Sequence, residues 1–228
     1  MRHVSHTGIQ QKRRFCAHFH EIRQNSCVSL IIRETTHADI SGVVALQRAC
    51  FPEPFPEDLL WSNAHLIAHI TQFPAGQYLA EIDNSIVASC TNMLVTEEVW
   101  HAHLDWQTTT GGLSLPNHNP QGYVMYGIDI SVHPNFRGQG IARLLYEKRL
   151  QYCRDRKVQY GTVCRLPGFI HSKLDDPLQY ALAVVGNIVT DPTLTPLIKL
   201  GGVFQGIIPE YMDDQESGNA GAILEWQV

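Results

Sequence analysis

The stretch Tyr123–Cys153, YVMYGIDISVHPNFRGQGIARLLYEKRLQYC, constrains the fold more than any other part of the chain. Its first half alternates apolar and polar residues, which predicts a strand with Ile128, Ile130 and Val132 on one face. A turn containing two glycines follows, and the second half has the periodicity of an amphipathic helix. The pattern therefore predicts a strand, a tight turn and a helix without a gap.

The turn from Arg137 to Ala142 has the features of an anion-binding site. The first amides of a helix have no intrahelical partner, and the helix dipole adds positive potential at the same end. Gly138 and Gly140 allow the backbone to approach a ligand closely, and Arg137 adds a cation. We therefore predict that this turn binds a phosphate or pyrophosphate.

The row R-G-Q-G-I-A at residues 137–142 resembles the acyl-CoA-binding motif R/Q-x-x-G-x-G/A of the GNAT superfamily of N-acetyltransferases. It follows a strand ending in V-x-P, as it does in that family. The resemblance implies an α+β domain with the GNAT fold, in which a mixed, mostly antiparallel sheet is flanked by helices. It also implies acetyl-CoA as the co-substrate and direct attack of a primary amine on the thioester.

In that family, amides of the turn hold the pyrophosphate and the end of the preceding strand holds the pantetheine arm. The resemblance thus implies nine cofactor-binding residues: Ile130, Ser131, Val132, Arg137, Gly138, Gln139, Gly140, Ile141 and Ala142. A donor amide near the thioester carbonyl would stabilise developing oxyanion charge. No metal is expected. Binding of a nucleotide by the same turn is disfavoured because the turn lacks the Lys-Ser/Thr pair of a P-loop.

Acyl transfer to an amine also needs a proton acceptor, because a free alkylamine is mostly protonated at pH 7. Many protein acetyltransferases of the family have Glu at the position that Tyr126 occupies here, which makes Tyr126 a candidate catalytic residue. The carboxylate candidates are then Asp129, Glu97 and Glu98, and a histidine such as His133 is a further candidate.

The usual general acid of the family is a Tyr on the last helix, within a pattern like F-Y-x-x-x-G-F. Here Leu197 takes the place of the tyrosine and Gly202 that of the second phenylalanine. Water or Tyr211 is left to protonate the departing thiolate. The departure favours an alternative function, a module that senses acyl-CoA without transferring the acyl group.

Charge divides the chain into two parts. Residues 1–27 hold five basic residues and one acidic residue, whereas residues 28–228 hold twelve basic and twenty-one acidic residues, a formal charge of about −9. We expect residues 1–27 to be a disordered basic extension and residues 28–228 to be one domain. An acidic body argues against nucleic acid as a partner and is compatible with an amine-bearing substrate.

Composition also bears on the compartment. No stretch approaches the ~18 uninterrupted apolar residues that a membrane span needs, so no membrane partner is expected. The six cysteines show no C-x-x-C spacing, and several lie in apolar runs. Free buried thiols are the usual interpretation of such cysteines, which predicts a cytoplasmic location.

Local patterns predict the remaining elements. They are a strand at 28–33, helices at 38–50 and 58–70, a hairpin at 78–95, a strand at 158–163, helices at 178–188 and 192–200, and strands at 203–208 and 220–227.

The insertion Thr96–Gln121 is long and lacks a period, and such loops are usually functional or disordered. In the GNAT interpretation it overhangs the acceptor side of the cleft, where Trp100, Trp106 and His118 shape access for a small, enclosed amine. A folded surface loop is the structural alternative. A zinc site is another, built from histidines that converge in space: His101, His103, His118 and His133.

Segments 165–169 (RLPGF) and 208–214 (IPEYMDD) resemble GNAT domains that precede a nitrilase-like carbon-nitrogen hydrolase domain in some bacterial proteins. This resemblance implies an amidohydrolase as a partner. A homodimer is left open.

Overall fold

One mixed sheet with helices on both faces forms the centre of the molecule. The computed structural model describes residues 13–14, 29–53, 55 and 57–228. Its strands are β1 (Arg13–Arg14), β2 (Ser29–Glu34), β3 (Tyr78–Ile82), β4 (Ser85–Val95), β5 (Val124–Val132), β6 (Gln159–Cys164), β7 (Val203–Ile208) and β8 (Gly221–Trp226). Its helices are α1 (Ile40–Cys50), α2 (Asn63–Gln72), α3 (Glu97–His101), α4 (Trp106–Thr110), α5 (Ile141–Arg156), α6 (Pro177–Val185) and α7 (Leu194–Lys199).

The strand order across the sheet is β1-β2-β3-β4-β5-β6-β8-β7. Strands β5 and β6 are parallel, and the other described pairs are antiparallel. Asp83 and Asn84 close the β3–β4 hairpin with φ angles of 47° and 63°, as the favoured two-residue hairpin turn requires. The predicted α+β class with a mixed, mostly antiparallel sheet is confirmed.

Two helix predictions are wrong at their ends. The helix predicted for residues 58–70 begins only at Asn63, because the side chain of Ser62 accepts the N–H of His65 at 3.2 Å and caps it there. Residues 57–59 form a separate 3-10 turn. Helix α6 ends at Val185, three residues early, and Asn187 takes a left-handed φ of 58° just beyond it.

The two faces of the sheet carry different helices. On one face, called the α5 face, side chains of α5, α6 and α7 pack on the strands around Leu145, Tyr180 and Leu194. On the other, called the α1 face, α1 and α2 pack around Val43 and Leu66, beside the insertion. The sheet is therefore covered on both sides.

The insertion folds into α3 and α4 on the α1 face. Trp100 is 4% exposed, its ring lies 5.6 Å from that of Tyr126, and its indole N–H donates to Glu225 at 2.6 Å. His118 stacks on Phe73 with ring centroids 4.9 Å apart. Both side chains thus belong to packed structure. In the part of the chain that the structure describes, no three His, Cys, Asp or Glu side chains are grouped to hold a metal, so the zinc alternative has no support there.

The predicted disordered extension falls mostly outside the described residues. Within it, Arg13 and Arg14 pair as β1 with β2 in antiparallel register. Across the described ranges, no helix is long and apolar enough to cross a membrane.

His69 on α2 is a buried titratable side chain that should couple stability to pH. It is 2% exposed, its Nε2 lies 2.7 Å from the carbonyl oxygen of Leu113, and burial lowers its pKa from 6.5 to about 4. Below pH 6.5 the unfolded imidazole binds a proton that the folded one does not. The free energy of unfolding should therefore fall by about 3 kcal/mol as the pH drops from 6.5 to 4.

Urea unfolding of the wild type, His69→Gln and the partly exposed control His65→Gln on the same helix at pH 7 and 4.5 measures this effect. We expect the pH-dependent loss to shrink in His69→Gln and to persist in His65→Gln. Equal losses in all three proteins would show that His69 does not carry the coupling.

Candidate active site

A β-bulge interrupts the pairing of β4 and β5 near the centre of the sheet. The register on β5 steps from Asp129 to Gly127 while β4 advances by one residue, so Ile128 has no partner on β4. On the other side, the parallel pairing of β5 with β6 ends at Gly127 and Thr162. Ile128 therefore lacks a registered partner on both neighbours, at the point where β5 and β6 separate. We call the gap that opens between β5 and β6 beyond Gly127 and Thr162 the split.

The bulge overturns the alternation predicted for β5. Ile128 packs against the α1 face, and Asp129 lies on that face too, because its carboxylate accepts a hydrogen bond from Gln47 of α1. Ile130 and Val132 pack on the α5 face. The prediction that Ile128, Ile130 and Val132 share one face is wrong, since the extra residue of a bulge reverses the alternation after it.

The predicted anion-binding turn lies at the start of α5. Gly138 and Gly140 have φ angles of 75° and 79°, and the space beside each, where a Cβ would project, is open. The turn is exposed, whereas Ile141 is buried and anchors the helix. The Nε of Arg137 donates to the carbonyl of Val132 at 3.0 Å and ties the turn to the end of β5. Such a turn presents amides to a ligand, and its binding role stays a prediction.

Asp129 is the titratable group next to Ile128. One carboxylate oxygen accepts from Gln47 Nε2 at 3.2 Å and from Ser131 Oγ at 3.1 Å. Burial raises the pKa of the Asp129 carboxyl above its ordinary value, against the opposing effects of Ser131 and of the nearby cation of Arg149. A carboxylate with a raised pKa is a better proton acceptor near neutral pH than an exposed one.

Tyr126 and Tyr211, the two phenols singled out from the sequence, lie together. Their hydroxyl groups hydrogen-bond to each other in the buried cluster beneath Trp100. Burial raises the pKa of both phenols. Each is at most 4% exposed. A catalytic role for either side chain stays a prediction.

The other candidate proton acceptors are at the surface. Glu97 and Glu98 are exposed in the first turn of α3. The Nδ1 of His133 accepts the N–H of Asn135 at 3.3 Å, within the turn that follows β5.

Leu197, which takes the place of the family's tyrosine, is 6% exposed and packs in the cluster of the α5 face. The position therefore offers an apolar side chain and no acid.

The sequence identified Ile128 only as a strand residue, and Arg149 was not singled out. The lack of pairing at Ile128 leaves no sequence signal, because a bulge residue looks like any other strand residue. Arg149 did leave one. It stands four residues from both Leu145 and Cys153 on α5, so it shares their side of the helix, and all three are buried.

The mixed, mostly antiparallel sheet flanked by helices and the glycine turn at the start of α5 are those expected of a GNAT domain. A model of the acetyltransferase (GNAT) family matches residues 40–167, more than half of the chain. The chain belongs to this family, and the resemblance inferred from the R-G-Q-G-I-A row is confirmed.

Two curated relatives come from Bacillus subtilis (strain 168). The uncharacterized N-acetyltransferase YkwB is 33% identical over 203 residues, which cover 87% of this chain and 89% of YkwB. The probable hydrolase YhcX is 32% identical over 201 residues, which cover 86% of this chain. The matched part spans only 38% of YhcX.

Two solved structures share the fold closely. The loading GNATL domain of CurA from Lyngbya majuscula superposes with a TM-score of 0.75 at 20% identity, covering 87% of this chain and 97% of that one. The GphF GNAT-like decarboxylase, solved with isobutyryl-CoA, gives a TM-score of 0.72 at 24% identity, covering 86% and 97%. At these identities the likeness shows the fold alone.

Proposed function

We propose that this protein transfers an acetyl group from acetyl-CoA to the primary amine of a small molecule at the split. The observation that carries the proposal is the unpaired Ile128, which lies on the same strand that leads into the exposed turn at the start of α5. At about 3.3 Å per residue, the segment from Ile128 to Val132 offers an extended track of about 13 Å. A pantetheine arm can follow this track while the turn holds the pyrophosphate.

The reaction then needs two contributions from the chain. The amine attacks the thioester carbonyl, forming the C–N bond, and the amide of Ile128 stabilises the oxyanion of the tetrahedral intermediate. Asp129 accepts the ammonium proton of the amine through water. The C–S bond breaks, and the CoA thiolate leaves and takes a proton from solvent, since Leu197 offers none.

The proposed acceptor is small because the α1 face beside the split is already covered. Helices α3 and α4 pack there with Trp100 buried, which leaves little room for a peptide to lie along β5. The acidic body is compatible with an amine. An amidohydrolase partner remains part of the proposal, supported by the likeness to part of YhcX, and so does a homodimer.

Decarboxylation of a malonyl-type CoA thioester is a second candidate function. The observation favouring it is the apolar Leu197 in place of an acid, because this reaction has no thiolate leaving group to protonate. Loss of CO2 breaks a C–C bond and leaves the electron pair as an enolate, which the amide of Ile128 would stabilise and water would protonate. The name of GphF, a GNAT-like decarboxylase, is consistent with this chemistry.

One screen separates these functions. The protein is incubated with acetyl-CoA and polyamines, amino acids, aminoglycosides or N-terminal peptides while free thiol is measured, and with malonyl-CoA while the thioester is followed by mass spectrometry. We expect thiol release with a small amine. Turnover of peptides alone would contradict the small acceptor. Loss of CO2 with an intact thioester would favour the decarboxylase, and CoA binding without either reaction would favour the acyl-CoA sensor.

A further inference from the structure

Arg149 is a buried cation in the middle of an apolar cluster. It lies on α5, is 1% exposed and is among the largest fully buried side chains of the described residues. Tyr146 and Tyr160 flank its guanidinium, with ring centroids 4.9 and 5.9 Å away. Burying a charge is unfavourable unless its donors are satisfied, so the contacts of this side chain carry information.

None of the hydrogen bonds of Arg149 goes to a carboxylate of the described residues. Its Nη2 donates to the backbone carbonyl of Thr91 at 3.3 Å and to that of Asp129, and its Nη1 donates to the hydroxyl of Tyr160 at 3.0 Å. Its Nε has no hydrogen-bond partner within the described part of the chain. The guanidinium therefore donates to backbone carbonyls and a hydroxyl, whereas a buried arginine would be expected to form an ion pair with a carboxylate.

The two carbonyls lie at the edge of the bulge. Thr91 and Asp129 form the last registered pair before the register steps past Ile128. A bulge disrupts the ladder locally, and buried carbonyls left there need another donor. Arg149 supplies it from the α5 face.

Tyr160 extends this contact to β6. A Cβ on Gly127 would collide with the hydroxyl that Arg149 contacts. Gly127 is also the last residue of β5 that pairs with β6. One guanidinium therefore joins β4, β5 and β6 at the start of the split.

We propose that Arg149 is a positioning residue that sets the geometry of the bulge and thereby directs the amide of Ile128 toward the acyl carbonyl. The proposal rests on the proposed acyl transfer at the split. Arg149 does not touch the substrate itself. It holds the carbonyls of Thr91 and Asp129, the pair at the edge of the bulge, from the α5 face, which leaves the Ile128 amide free for an oxyanion.

Two CoA analogues, one a ketone and one a thioether, measure the contact between the Ile128 amide and the acyl carbonyl without any amine acceptor. The first is the ketone analogue of acetyl-CoA in which a methylene replaces the thioester sulfur, and the second is S-ethyl-CoA, which has no carbonyl. The change in their affinity ratio between variants reports the carbonyl contact, because the difference at the sulfur position is the same for every variant and the turn at Arg137–Ala142 should hold both ligands alike. The ratio is measured by calorimetry for the wild type, Arg149→Met, Arg149→Lys, Tyr160→Phe and the exposed control Arg143→Met on the same helix.

We expect the wild type to favour the ketone, and Arg149→Met to lose about tenfold of that preference while its affinity for S-ethyl-CoA stays within about twofold. Arg149→Lys should keep part of the preference, and Arg143→Met all of it. Tyr160→Phe removes only a buried hydroxyl and should lower the preference about threefold, which keeps the proposal testable should Arg149→Met fail to fold.

A purely structural role would lower the unfolding temperature and leave the affinity ratio unchanged in the Arg149 and Tyr160 variants, which would overturn the assignment. A wild type that binds both ligands equally would overturn the role of the Ile128 amide as well, and with it the proposed function. The two failures are therefore distinguishable.

Discussion

Replacing Gly140 by valine should abolish measurable CoA binding, lowering the affinity by at least about 100-fold. Gly140 has a φ of 79°, where a β-branched side chain is strained, and a Cβ would project into the open space over the turn. The variant therefore both displaces the amides at the start of α5 and obstructs the place where a pyrophosphate would lie. Calorimetric titration with CoA measures the loss.

Gly201→Val is the matched control for this strain. Gly201 has a φ of 93° and follows α7, where a Cβ would meet only Trp226 at ordinary contact distance. We expect a comparable loss of stability and an unchanged affinity for CoA. If Gly140→Val bound CoA as tightly as Gly201→Val, the turn could not be the pyrophosphate site.

Replacing Asp129 by asparagine should lower the rate of acetyl transfer about 10²- to 10³-fold and leave CoA binding within about twofold. The amide keeps the shape and the contacts with Gln47 and Ser131 but cannot accept the proton of the amine. Because burial raises the pKa of Asp129, the wild-type rate should rise with pH as the carboxyl ionises, and this limb should vanish in the variant. The pH profile of thiol release measures both effects.

Glu97→Gln and Glu98→Gln are the controls, because these carboxylates are the alternative bases and both are exposed. Each should retain full activity. Full activity of Asp129→Asn together with a large loss in Glu97→Gln or Glu98→Gln would move the base to α3.

The strand, turn and helix around residues 137–142 could be predicted because their signals are local. Positive φ favours glycine, and Gly138 and Gly140 stand where the backbone takes that conformation. The hairpin at Asp83 and Asn84 was predictable for a similar reason. The α+β fold followed from the resemblance that the R-G-Q-G-I-A row carries.

The geometry of the split could not be predicted in the same way. A bulge depends on which residues of β4 and β5 pair, and strand register across the sheet is not visible in the period-two pattern of one strand. The packing of the insertion could not be predicted either, because Trp100 finds its partners on β5 and β8. Arg149 shares a helix side with Leu145 and Cys153, which predicts its burial. Its hydrogen bonds to Thr91, Asp129 and Tyr160 depend on the tertiary fold and could not be predicted.

The most direct test of the account is a calorimetric titration of the wild-type protein with CoA, paired with its melting temperature in the same buffer. The account predicts one saturable site, and a rise in melting temperature that corresponds to about 2.7 kcal/mol when CoA is present at a hundred times its dissociation constant. Absence of both heat and stabilisation at millimolar CoA would contradict the claim that the turn and the split form an acyl-CoA site.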